Sequence, residues 1–291
     1  MSTLKKPFSL VFIAGLGHSG STLLSLLLGS QKDFSSLGEV NILIEKSRRN
    51  KYLKKYDKRP CSCGMLPTNF DVWGSFKKYL TEDTKLSYNE LYAKLLEIHQ
   101  RKSGGSTIID ASKNFNHLKK IVSGLDELGI SKSQFYVIHL TKDVRNYTYS
   151  MLRREESESI INTLKHFRNW TKRNRKVEQY LKGNEIQTLN IGYEELALST
   201  DLVFKKLFDF LEYEPVEGKI SVISDPGHVI FGNKMKNNDT IKIKYDYYWL
   251  NDGNLNLYYS LLYPFINKLN RRLVYSTVNH IAEENNKRFK F

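Results

Sequence analysis

The chain has 291 residues, with 45 Lys and Arg against 31 Asp and Glu, and a formal net charge of +14. That length gives one large domain or two small ones, and 40% hydrophobic content sustains a sizeable core. The positive excess suits an acidic partner (a polyphosphorylated nucleotide, an anionic glycan, a membrane surface or a nucleic acid), while two cysteines exclude a disulfide framework. No signal peptide is evident, and no apolar run approaches the roughly 20 residues of a membrane span, so a cytoplasmic setting is expected.

The first predicted element is a strand, Leu10-Val11-Phe12-Ile13. A helix follows at Leu23-Leu24-Ser25-Leu26-Leu27-Leu28. Between them stands Ala14-Gly15-Leu16-Gly17-His18-Ser19-Gly20-Ser21-Thr22. A glycine-rich turn between strand and helix aims backbone N–H groups and a helix N-terminus at an anion. Gly15, Gly20 and Thr22 keep the spacing of the nucleotide P-loop, G-x-x-x-x-G-K-[ST], but Ser21 stands where its lysine belongs. A P-loop lysine reaches the β- and γ-phosphates, so its replacement argues against ATP or GTP. The loop is expected to hold a phosphate of another donor.

Residues 45–60 are rich in Lys and Arg and predict exposed helix and loop. Cys61-Ser62-Cys63-Gly64-Met65-Leu66-Pro67 predicts a turn-rich connection, and residues 71–101 carry a helical apolar pattern. Further strands are predicted at Thr107–Asp110, Phe135–Leu140 and Ile186–Ile191, with helical patterns between them. The reading is an α/β fold of P-loop-like, three-layer type. Its central parallel sheet has four to five strands flanked by helices. Ligands bind such sheets beyond the carboxyl ends of the strands. Polar clusters fall at each of those ends: the glycine loop, Asp110-Ala111-Ser112-Lys113, Thr141-Lys142-Asp143-Val144-Arg145, and Tyr193-Glu194-Glu195-Leu196.

These clusters resemble, over nearly the whole length, the sulfotransferases that use 3′-phosphoadenosine 5′-phosphosulfate (PAPS). The likeness is closest to the bacterial branch whose first loop reads Gly-His-Ser-Gly-Ser-Thr-Leu-Leu, here Gly17 to Leu24. It extends more distantly to the tyrosylprotein and carbohydrate sulfotransferases. The resemblance implies that Gly17, His18, Ser19, Gly20, Ser21 and Thr22 cradle the 5′-phosphosulfate. Lys142, Asp143 and Ser150 match the family's second signature, a basic residue followed by Asp, with a serine eight positions after the basic residue. This implies that Lys142 and Ser150 hold the 3′-phosphate. Tyr193 matches a tyrosine beside the adenine. The segment Gly232-Asn233-Lys234-Met235-Lys236 resembles the late Gly-Asn-x-x-Arg loop that closes over the nucleotide. Cys61-Ser62-Cys63-Gly64 matches an element of the same branch with no assigned role.

The chain departs from the family at His18, where Lys or Arg is common. It departs again at Lys142 and Lys236, where arginines are expected and a lysine forgoes the bidentate fork. Sulfuryl transfer requires an acceptor proton to be removed, a moving sulfuryl group to be steadied and a leaving phosphate to be neutralised. Lys113 is the candidate for the sulfuryl or bridging oxygens. Glu39 is the candidate general base, with His18 as its rival, and no metal is required. A single domain over residues 1–291 is expected. Within it, residues 40–105 shape the acceptor pocket, and residues 225–291 supply the closing loop and C-terminal helices. The acceptor is a small molecule, glycan, lipid or peptide, and no nucleic acid is expected as partner. The competing readings are a P-loop-type kinase or NTPase, with Asp110 as its only Walker-B contender, and a non-catalytic basic nucleotide- or nucleic-acid-binding protein.

Overall fold

In the computed structural model, strand β1 (Ser9–Gly15) runs through the middle of the molecule, with six of its seven residues buried. The structure describes residues 8–277 apart from 57, 59, 70, 81–84, 104, 157–158, 216–221, 224–228, 238–240 and 263. On either side of β1 lie β3 (Thr107–Lys113) and β4 (Phe135–Thr141). Outside them lie β2 (Phe34–Gly38) and β5 (Gln187–Gly192), giving the order β2-β3-β1-β4-β5 with all four pairings parallel. Near-continuous apolar runs such as Leu10–Ile13 and Phe135–Leu140 are what a strand buried on both faces requires.

Helices cover both faces. α1 (Ser21–Gly29) links β1 to β2. α2 (Asn41–Ile44), α3 (Lys46–Tyr56), α4 (Asp71–Lys77) and α5 (Tyr88–Ser103) fill the long connection from β2 to β3. α6 (Phe115–Ser123) and α7 (Leu125–Leu128) lead to β4, and α8 (Val144–Glu155) and α9 (Ile160–Gly183) lead to β5. α10 (Tyr193–Leu198) and α11 (Thr200–Phe210) follow, and α12 (Gly253–Leu262) and α13 (Pro264–Val274) end the described chain. A short antiparallel pair, β6 (Val222–Ile223) and β7 (Ile241–Lys242), stands apart from the main sheet.

The predicted elements are present, with two differences. The helical pattern over 71–101 is divided between α4 and α5. Strand β2 was not predicted, because Phe-Ser-Ser-Leu-Gly is short and half polar. It is held by its register with β3 and by the Ser25–Ser36 hydroxyl contact at 2.6 Å. His139, in the middle of β4, is fully buried against Asn174 (Nε2 to Oδ1, 3.1 Å).

The sheet is irregular where it meets the site. Phe12 pairs with Asp110 but Ala14 with Lys113, so two steps along β1 match three along β3. Such a bulge re-aims the side chain beyond it. Here that side chain belongs to Lys113, whose backbone adopts a left-handed φ of 59°.

Candidate active site

The loop after β1 turns into α1 through Gly20, which has φ of 89° and whose missing Cβ would lie 2.5 Å from the Tyr193 ring. Any side chain there would strain the turn and strike the ring. No side chain caps α1. The N–H groups of a helix's first turn have no carbonyl within the helix, so those of Ser21, Thr22 and Leu23 remain for a ligand. The helix dipole adds partial positive charge at the same end. These residues line a cavity of about 520 Å³ together with Glu39, Lys113, Lys142, Ser150, Tyr193, Gly232 and Asn233. That volume lies within the ordinary range of small-molecule sites.

Each wall has its own chemistry. At the β2–β3 end, Lys113 Nζ donates to Glu39 Oε1 at 2.5 Å, and both side chains are partly exposed to the cavity. Asp110, fully buried, anchors this corner. It accepts from Ser112 N–H (2.8 Å) and Tyr92 Oη (2.8 Å), and it meets His117 Nε2 (2.8 Å). Despite burial, these donors and the His117 charge hold its carboxyl below the usual range. Ser112 Oγ accepts from Asn41 N–H at 3.0 Å, which ties the ends of β2 and β3 together beside Glu39 and Lys113.

At the β4 end, Lys142 is 6% exposed and its Nζ donates to Ser150 Oγ (3.3 Å) and Asp246 Oδ2 (3.1 Å). It also lies 4.8 Å above the Tyr193 ring centre. The eight-residue spacing places Lys142 before α8 and Ser150 almost two turns along it. Beneath them Glu194 accepts from the Asp143 N–H (2.9 Å) and from Asn146 Nδ2 (2.9 Å). Burial and the neighbouring Asp143 carboxylate push Glu194 up to about 7.

His18 has a left-handed φ of 67°, and Arg154 Nη1 donates to its Nε2 at 3.3 Å. Burial, and after it Arg154, Lys142 and Lys113, lower its pKa. This favours the neutral ring, and since Arg154 can only donate to Nε2, the ring N–H then sits on Nδ1. Arg154 stands one helical turn beyond Ser150 on α8 and is exposed.

Gly17, His18, Gly20, Ser21, Thr22, Glu39, Lys113, Lys142, Ser150, Tyr193, Gly232 and Asn233 thus meet in one cavity. Ser19 does not line it; its buried hydroxyl donates to Leu16 O at 2.8 Å and shapes the turn from within. Lys236 points elsewhere, donating from Nζ to Pro60 O at 3.0 Å. The side chain of Lys234 lies outside the described residues. Beyond the predicted site residues, Leu23, Met235, Lys244 and Asp246 also line the cavity, and Arg154 reaches its edge through His18. Arg154 had a signal in its i+4 spacing from Ser150. Lys244 and Asp246 had none, because a non-local return of the chain brings them in.

These features define an α/β protein with a cationic cleft at the carboxyl edge of its parallel sheet. A sulfotransferase family model matches residues 10–217, more than half of the sequence, and the chain belongs to that family. Its fold is similar to the sulfotransferase domain of the Synechococcus PCC 7002 olefin synthase. The TM-score is 0.52, the identity 18%, and the match covers 82% of each chain. No curated protein matches it. Among the described residues, no helix is long and apolar enough to cross a membrane.

Proposed function

We propose that this sulfotransferase takes its sulfuryl group from PAPS and passes it in line to a hydroxyl or amine acceptor. One observation carries the reading. The cavity joins an uncapped helix N-terminus, a lysine–serine pair and a lysine–glutamate pair, matching a donor with anionic groups at two places and a reacting centre at one end. The donor supplies an activated sulfuryl group on a phosphate leaving group.

The protein's residues do the rest. The N–H groups of the loop and first turn, the Nδ1–H of His18 and the hydroxyls of Ser21 and Thr22 bind the 5′ end. Lys142 and Ser150 bind the 3′-phosphate, and the Tyr193 ring flanks the base. Gly232 and Asn233 cover the nucleotide, with Asn233 N–H on Thr22 Oγ1 at 3.3 Å. Lys113 Nζ carries the positive charge nearest Glu39 and steadies the sulfuryl oxygens. Glu39 receives the acceptor proton. His18 suits that role poorly, because its Nε2 lone pair is engaged by Arg154 and three cations oppose formation of an imidazolium. Residues 40–105 follow Glu39 directly in sequence, and we assign the acceptor to that segment.

A kinase reading fits less well. Asp110, its Walker-B contender, is buried with its carboxylate engaged by Tyr92, His117 and the Ser112 amide, and it does not line the cavity.

Titration calorimetry tests the donor. The desulfated product, 3′-phosphoadenosine 5′-phosphate, is expected to bind far more tightly than ADP. Lys142→Ala and Ser150→Ala should each remove roughly 1.5–3 kcal/mol of that binding, the scale of a charge-assisted hydrogen bond. Equal affinity for the two nucleotides would overturn the assignment.

A further inference from the structure

We infer that Cys61 and Cys63 are a two-electron redox pair whose oxidation to a disulfide by a hydroperoxide loosens the loop covering the site. The two Sγ atoms lie 2.7 Å apart, and the Cys63 N–H points at Cys61 Sγ at 3.4 Å. The turn is closed by Gly64 N–H on Cys61 O at 3.0 Å. Cys61 is buried and Cys63 exposed, so an oxidant meets Cys63 first. Burial also keeps Cys61 a thiol, its pKa pushed up to about 12, which leaves Cys63 as the attacking sulfur.

The residue between them makes the pair consequential. Ser62 holds Val229 twice, its N–H on Val229 O at 3.0 Å and its Oγ accepting from the Val229 N–H at 2.9 Å. Pro60 O, one residue before the pair, holds Lys236 Nζ. The segment 229–236 is therefore moored at both ends to the cysteine turn. Between those moorings, Phe231 O accepts from Glu39 N–H at 3.4 Å, and Asn233 reaches Thr22. Gly38, with φ of 71°, has no room for a Cβ, which would sit 2.6 Å from both Phe231 O and Val229. Closing the sulfurs from 2.7 Å to the roughly 2.05 Å of a disulfide tightens the turn around Ser62, and the two Ser62–Val229 hydrogen bonds are the contacts that this tightening would weaken.

The Cys63 thiolate attacks the peroxide oxygen, giving a sulfenic acid and an alcohol or water. Cys61 sulfur then attacks the sulfenic sulfur while its thiol proton passes to the departing hydroxyl, which leaves as water. Two thiol protons and two electrons pass to the peroxide, and a thiol reductant reverses the step. The redox chemistry is independent of the donor assignment. Only the loop's part in covering a nucleotide rests on it.

The test uses the full chain and hydrogen peroxide. Mass spectrometry should show the peptide spanning Cys61 and Cys63 lighter by two hydrogens and closed to alkylation. Amide hydrogen exchange over 229–233 should rise several-fold and return with dithiothreitol. Cys63→Ser should show no peroxide-dependent change in exchange. Oxygen addition at Cys63 without the disulfide would overturn the pair. A disulfide formed with unchanged exchange over 229–233 would overturn its coupling to the loop.

Discussion

Lys113 combines a left-handed backbone with an ion pair to Glu39. A non-glycine residue in that conformation costs on the order of 1 kcal/mol or more, so the surroundings must over-determine it. The bulge in β3 and the Asp110–Ser112 contact do so. In the proposed reaction the two charges have separable tasks. Glu39→Gln keeps the shape and removes the proton acceptor. It should bind the desulfated nucleotide normally and lose on the order of 10²–10⁴ in turnover. Lys113→Ala should likewise lower kcat at saturating donor, because its charge is needed most as the bond breaks. Steady-state kinetics beside calorimetry would check both, and unchanged kcat in either variant would return that residue to a structural role. At this scale the sequence was highly legible where function sits in short, fixed spacings. Lys142 and Ser150 are separated by a strand end and almost two helical turns, so local geometry alone makes them neighbours. Lys236 was expected at the nucleotide, but its Nζ donates to Pro60 O, 176 positions away, a contact that no local spacing foretells.

Among the elements, strands with continuous apolar runs were readable, and the edge strand β2 was not. Its five residues carry no pattern of their own and become a strand only through β3. Yet β2 delivers Glu39, so the least legible element supports the proposed base. The β5–α10 junction carries two further expectations. Glu194 has its pKa raised to about 7 from an ordinary 4.5. The folded state thus holds a proton between those values that the unfolded state has released. The stabilisation is complete below about 4.5 and is lost as pH rises through about 7. Glu194→Gln should flatten that decline, seen as a melting-temperature difference from the parent that grows in the variant's favour from pH 5 to 8. Gly192 ends β5 where a Cβ would fall 1.7 Å from Val274 O, at the end of α13. Gly192→Ala should push α13 off the sheet, costing at least the roughly 1–3 kcal/mol of overpacking. Calorimetric melting should drop by several degrees.

For the molecule as a whole, the net charge of +14 is a poor guide to the site. Lys165, Arg168, Lys172, Arg173, Arg175 and Lys176 on α9 are all exposed and none lines the cavity. The lysine assigned to the nucleotide is instead almost fully enclosed and already faces a carboxylate, Asp246. The site therefore carries its own counter-ion. On the proposed function, nucleotide capture would exchange one anion for another, and a displaced Asp246 would reclaim Lys142 when the product leaves. Asp246→Asn would remove that competitor. The desulfated nucleotide should then bind more tightly and dissociate more slowly in stopped-flow displacement, with stronger product inhibition in turnover. An acid set against that lysine would tune such a site for letting go as much as for holding on.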